Sequence, residues 1–130
     1  MLLYILYNAD LLEILDNDQK EDAIRYIDDI AIIAIGKDFE ETTQRIKNLM
    51  TKEDGGMQWS KEHNSWFEVS KSVIMHFTRK TIPDPDTEHG RIPLTKPQLS
   101  LENQLVKDVD CFKYLGILFD TQLRWNKQAQ

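Results

Sequence analysis

Apolar residues recur along this chain in two rhythms, and the switches between them mark out its elements. Between residues 2 and 15, Leu2, Leu3, Leu6, Tyr7, Leu11, Leu12 and Ile14 follow spacings near three and four. That spacing predicts a helix with one broad apolar face, stopped by Asn17 and Asp18. It reads equally as a frayed terminal helix or as the end of a longer one. From about 23 to 35 the rhythm changes to a β-hairpin. Ala23-Ile24 precede the bend and Ile30-Ala31-Ile32-Ile33-Ala34-Ile35 follow it. The second arm is apolar on both faces, which predicts a central strand covered on both sides, ended by Gly36.

A polar helix is expected from about Asp38, with Glu40 and Glu41 at its positive dipole end and Phe39, Thr43, Ile46, Leu49 and Met50 as its buried stripe. Gly55-Gly56 should weaken it before helical spacing resumes from Met57 to about His63, giving two short helices or one bent helix. Trp66–Val69 and Val73–Phe77 suggest short strands around Ser70-Lys71-Ser72. Residues 79–98 hold all four prolines, so a loop or hairpin with at most an edge strand is expected there. Leu99 to Val106 could pair weakly. Cys111 to Phe119 is the second strong strand signal, and a last helix is expected to begin near Leu123-Arg124-Trp125. The order of elements is an α+β plan.

Composition narrows the class. The chain has 130 residues, 41% hydrophobic and 29% charged, enough for one domain with a real core. Its longest apolar run is far too short to cross a bilayer, so no membrane is expected. A single cysteine, Cys111, excludes an internal disulfide and is best read as a small core residue rather than a nucleophile. Nothing points to secretion, which suggests an intracellular protein, in nucleus or cytoplasm. The net charge of -6 is unevenly spread. Residues 1–70 hold 7 basic and 15 acidic side chains (-8), whereas 71–130 hold 9 and 7 (+2). That balance argues against a free-standing nucleic-acid binder but permits an enzyme that meets nucleotides through a divalent cation.

The candidate chemistry sits at the hairpin, in Tyr26-Ile27-Asp28-Asp29. Two adjacent carboxylates at a tight bend repel each other, and a divalent cation removes that cost. Phosphoryl transfer to a growing nucleic-acid strand needs carboxylates holding such ions. The plain alternative is a solvated turn, because aspartate is common in turns. Lys71, between two serines, reads as solvated when taken alone. Tyr114-Leu115-Gly116 reads as a core strand with a glycine bulge. Trp59, Trp66 and Trp125 read as core or lid packing. His63, His76 and His89 lack ligand spacing for zinc.

Taken together, the motifs resemble the C-terminal part of a reverse transcriptase palm from a non-LTR (LINE-like) retrotransposon. Tyr26-Ile27-Asp28-Asp29 is similar to that family's YxDD box. Leu2 to Leu12 resembles the helix after its Gly-Ser-Pro motif. Trp59-Ser60 and His63-Asn64-Ser65, with Phe67–Lys71 and Met75-His76-Phe77, resemble the next palm motif. Phe112–Ile117 with Phe119-Asp120 and Leu123-Arg124-Trp125 resembles the primer grip and the entry to the thumb. The resemblance implies a partial palm over 1–110, and a primer-grip strand with the start of a thumb over 111–130. It also implies RNA-directed DNA polymerase chemistry with an RNA template, a DNA primer and deoxynucleoside triphosphates. Asp28 would be the principal ligand of Mg2+ or Mn2+ and Asp29 a second or weaker one, and Tyr26 would point toward the primer or pack beneath the turn. Lys71 would lie near the triphosphate, neutralising charge or donating a proton. Phe112, Tyr114, Leu115 and Gly116 would meet the primer 3′ end. The family's third metal-binding aspartate and its fingers have no counterpart here, so the expectation is a fragment with little or no activity of its own. The alternative is a non-enzymatic α+β interaction module.

Overall fold

The computed structural model describes residues 14–15, 19–26 and 29–124, with Arg25 and Tyr26 described by backbone alone. Over these residues the chain is mixed α+β, with two α-helices and five separate two-stranded pairings. The helix expected over 2–15 lies outside the described residues except for Ile14 and Leu15.

The hairpin is present. Strand β1 (Glu21–Tyr26) pairs antiparallel with β2 (Asp29–Ala34), in a register that sets Tyr26 opposite Asp29 and Glu21 opposite Ala34. Because side chains alternate, β2 directs Ile30, Ile32 and Ala34 to one face and Asp29, Ala31 and Ile33 to the other. Ile30 and Ile32 pack on the core. The opposite face does not: Ile33 is 41% and Ile35 60% exposed. The expectation of a central, doubly covered strand is therefore corrected. Among the described residues β2 pairs with β1 alone. Being apolar on both faces makes a strand fit for a second layer, but does not supply that layer.

Helix α1 (Phe39–Thr51) follows from its first turn. The Asp38 carboxylate accepts a hydrogen bond from the Glu41 N–H at 2.8 Å, and Glu40 and Glu41 lie at the positive end of the dipole. Its inner face buries Thr43, Leu49 and Met50. Helix α2 (Gly56–Glu62) starts afresh after a break at which Asp54 has φ +58°. A side chain at Gly55 would put its Cβ 2.7 Å from the Leu49 carbonyl oxygen, so only glycine fits the neck between the helices. The main core joins Met50 and Met57 to Val69, Ile74, Leu99, Leu101 and Val106, and a second cluster joins Ile14 to Trp59.

Two strand expectations change. Residues 66–69 are not a strand. A short 3-10 turn covers Val69–Lys71, β3 is only Val73–Ile74, and Trp66 is 70% exposed rather than packed. Strand β3 pairs in parallel with β8 (Lys107–Asp108). The proline-rich stretch forms a small hairpin of β4 (Thr81–Pro83) and β5 (Arg91–Pro93), and β6 (Ser100–Leu101) turns back on β7 (Gln104–Leu105). The signal over Cys111–Phe119 is not one strand with a bulge. It is a hairpin of β9 (Cys111–Tyr114) and β10 (Ile117–Asp120). Leu115 and Gly116 between them have φ +48° and +84°, the double left-handed turn whose twist suits a two-residue hairpin. Leu123 and Arg124 are not helical, and the rest of the expected last helix lies outside the described residues.

Candidate functional site

The hairpin treats its two acids differently. Asp29 is the first residue of β2, fixed by pairing with Tyr26, and its side chain is exposed. It shares the uncovered face with Ala31 and Ile33. Asp28 and Ile27, the link between the strands, lie outside the described residues, as does the side chain of Tyr26. One of the two expected metal-binding carboxylates is thus located at the mouth of the hairpin, ahead of its open face.

The second hairpin comes to the first. The Tyr114 hydroxyl, at the end of β9, donates to the Ile24 carbonyl of β1 at 3.2 Å across ninety positions of sequence. Burial raises the Tyr114 phenol above its ordinary range, and the negative charge of Asp29 raises it further. Asp29 and Tyr114, two residues singled out separately from sequence, therefore share one electrostatic neighbourhood. Around them Phe112 and Leu115 are 40% and 45% exposed, and a Cβ added at Gly116 would meet nothing within 4 Å. The β9–β10 tip is thus open to contact from outside.

Lys71 stands apart. Its ammonium pairs with the Glu68 carboxylate at 2.5 Å, and its turn packs on β7. Hydrogen bonds from Lys71 and then from Ser70 hold the Glu68 carboxyl below its usual range. Among the described residues, the ion pair of Lys71 goes to Glu68 and not to an acid of the hairpin.

Sequence reading missed the link between α1 and the hairpin. Arg45 reaches Glu21 of β1 at 3.4 Å and Glu41 of its own helix at 3.3 Å, while the Glu21 side chain is only 2% exposed. Glu41 is held below its usual range first by the Lys37 N–H and then by Arg45. The i,i+4 spacing of Glu41 and Arg45 was visible in sequence, but the reach to Glu21 was not. This bridge ties the start of β1 to the middle of α1.

As a place for a cation, the described residues supply Asp29 and no group of three His, Cys, Asp or Glu side chains placed to hold a metal. Among the described residues no helix is long and apolar enough to cross a membrane. No family model, no curated protein and no solved structure matches this chain.

Proposed function

We propose that the chain is part of a polymerase palm that resembles the reverse transcriptases of non-LTR retrotransposons. In an intact enzyme of that kind, the activity is RNA-templated addition of deoxynucleotides to a DNA primer. The observation that carries the reading is the meeting of two motifs. The hairpin that bears Asp29 is touched, through Tyr114 and Ile24, by the hairpin that would hold the primer end. A polymerase needs this proximity, because the primer hydroxyl must lie beside the carboxylate-bound ions.

On this reading Asp28 and Asp29 bind Mg2+ or Mn2+, and Tyr26 lies beside the primer. Phe112, Tyr114, Leu115 and Gly116 support the primer terminus. The bound ions would lower the charge barrier between the primer hydroxyl and the triphosphate. Lys71 would exchange the Glu68 carboxylate for a phosphate. Two adjacent carboxylates form a loose site, with affinity expected in about the millimolar range. The 130-residue chain by itself should therefore extend a primed RNA template little or not at all.

The test is a Mn2+ titration of the 15N-labelled chain followed by NMR, alongside primer extension. Paramagnetic broadening should appear first at Asp29 and Tyr114 and vanish in the double variant Asp28→Asn, Asp29→Asn. Broadening that is absent at both residues, or unchanged in the double variant, would overturn the polymerase reading. Robust extension that disappears in Asp28→Ala would retain the reading and overturn the claim that the isolated chain is inactive.

A further inference from the structure

The parallel pair β3–β8 is closed by side chains as well as by backbone. The Val109 N–H donates to the Ile74 carbonyl at 3.0 Å where the two strands end. Two residues beyond Ile74, His76 is 4% exposed. Its ring centre lies 4.8 Å from that of Phe39, at the start of α1. One ring nitrogen donates to the Pro97 backbone, which can only accept because proline has no N–H. The other, Nε2, is buried and has no hydrogen-bond partner among the described residues. Beside Pro97, the Lys96 ammonium holds two carboxylates, Asp108 of β8 at 3.1 Å and Asp110 at 2.6 Å. The backbone beyond His76 carries the second hairpin: the Thr78 N–H donates to the Thr121 carbonyl at 3.0 Å, and the Thr121 N–H to the Asp110 carbonyl at 3.2 Å.

This seat suits a neutral imidazole. A proton added at Nε2 would be a buried donor with nothing to accept it, in a place that already disfavours charge. Burial accordingly holds His76 below its ordinary range; Asp108 and the Pro97 bond pull it back, and Lys96 reinforces the burial. From α1 the group against the imidazole is the Phe39 ring, which is uncharged. Lys37, Asp38, Glu40 and Lys80 border the same cavity, two of each sign, so the charges that bias the ring are Asp108 and Lys96. If Asp108 is taken away, Lys96 keeps Asp110. One carboxylate thus stands between two basic groups, and only one of those groups has an alternative.

We infer that His76, Asp108 and Lys96 form an acid-operated latch on the joint between β3, β8 and the base of the β9–β10 hairpin. When the imidazole takes up a proton, Asp108 leaves Lys96 for His76, and Lys96 stays with Asp110. The ring turns out of its buried seat to reach the carboxylate. The backbone bonds on either side of it, Val109 to Ile74 and Thr78 to Thr121, give way, while α1 and the β1–β2 hairpin stay closed. The proton comes from solvent and no covalent bond changes. The latch does not depend on the polymerase reading, since it uses neither acid of the first hairpin.

The test is an NMR titration of the full 15N-labelled chain between about pH 7.5 and 5, following the His76 ring and amide protection corrected for the intrinsic pH dependence of exchange. As His76 titrates, protection at Val109, Thr78 and Thr121 should fall by about tenfold or more, while the Lys52 amide of α1 and the Ile35 amide beside β2 keep theirs. His76→Gln should remove the step. Asp108→Asn should move the His76 midpoint down and Lys96→Gln should move it up, each by about half a pH unit or more. Opposite shifts separate the latch from a merely structural role, which would move both variants the same way. If all these amides lose protection together, if the step survives in His76→Gln, or if the two midpoint shifts are absent or share one sign, the inference is wrong.

Discussion

Replacing Leu49 with alanine tests the packing of α1, the helix on which β2 rests. Leu49 is 0% exposed on the inner face of α1, next to Met50, which belongs to the main core. The substitution removes about three methylene-sized groups, a transfer loss of about 2–2.5 kcal/mol. A cavity contribution adds to this in proportion to how little the surroundings can close. Here they close poorly. The helix end is pinned by Lys52 N–H on the Asn48 carbonyl and Gly55 N–H on the Lys52 carbonyl, and the chain passes Leu49 so closely at Gly55 that an added Cβ would lie 2.7 Å from the Leu49 carbonyl oxygen. The expected total is about 3–4 kcal/mol, a drop in midpoint of roughly 10–20 °C. Urea unfolding followed by tryptophan fluorescence measures it, with the exposed Leu105→Ala as control, expected within about 0.5 kcal/mol. A loss below about 1 kcal/mol for Leu49→Ala would refute the claim that α1 buries this face.

Two further outcomes follow from particular residues. Leu115 occupies a left-handed backbone position that a branched side chain disfavours, so Leu115→Asn should stabilise the chain by about 1 kcal/mol in thermal unfolding, without changing the fold. His76 is held below its ordinary value of 6.5, chiefly by burial; Asp108 opposes this, while Lys96 reinforces it. The unfolded chain therefore takes up the proton first. Stability from His76 is complete above pH 6.5 and is lost as pH falls below it, and His76→Gln should flatten that part of a stability–pH profile.

Local elements were legible in the sequence and their assembly was not. The Asp38 cap, the stripe of α1 and the Gly55 break were readable because each depends on residues within one or two turns. The hairpin was readable from two apolar arms around a pair of acids, whereas its register was not, because the second arm is apolar on both faces. Leu115-Gly116 was misread, because a turn needing two positive φ angles usually carries Asn or Gly first, and leucine there gives no warning. Trp66 was misjudged because composition says which residues can be buried, not which will find a partner. The exposure of Ile33 and Ile35 has the same origin. At the candidate site, the residue types were readable from motifs. The Tyr114–Ile24 contact was not, because nothing local links positions so far apart. Lys71 shows the converse: a position suggested by a motif, which the structure pairs with its own neighbour Glu68.

The five short pairings bear on how the chain acquires its shape. Four join segments that are neighbours in sequence, and such closures are quick and independent. Only β3 with β8 must wait for everything between Ile74 and Lys107 to be gathered in. The parallel pair is thus the slow closure, the step at which partly formed molecules with many bare ribbons have time to find one another. Dilution during refolding should raise the yield, and a change that speeds the meeting of β3 and β8 should do so at any concentration.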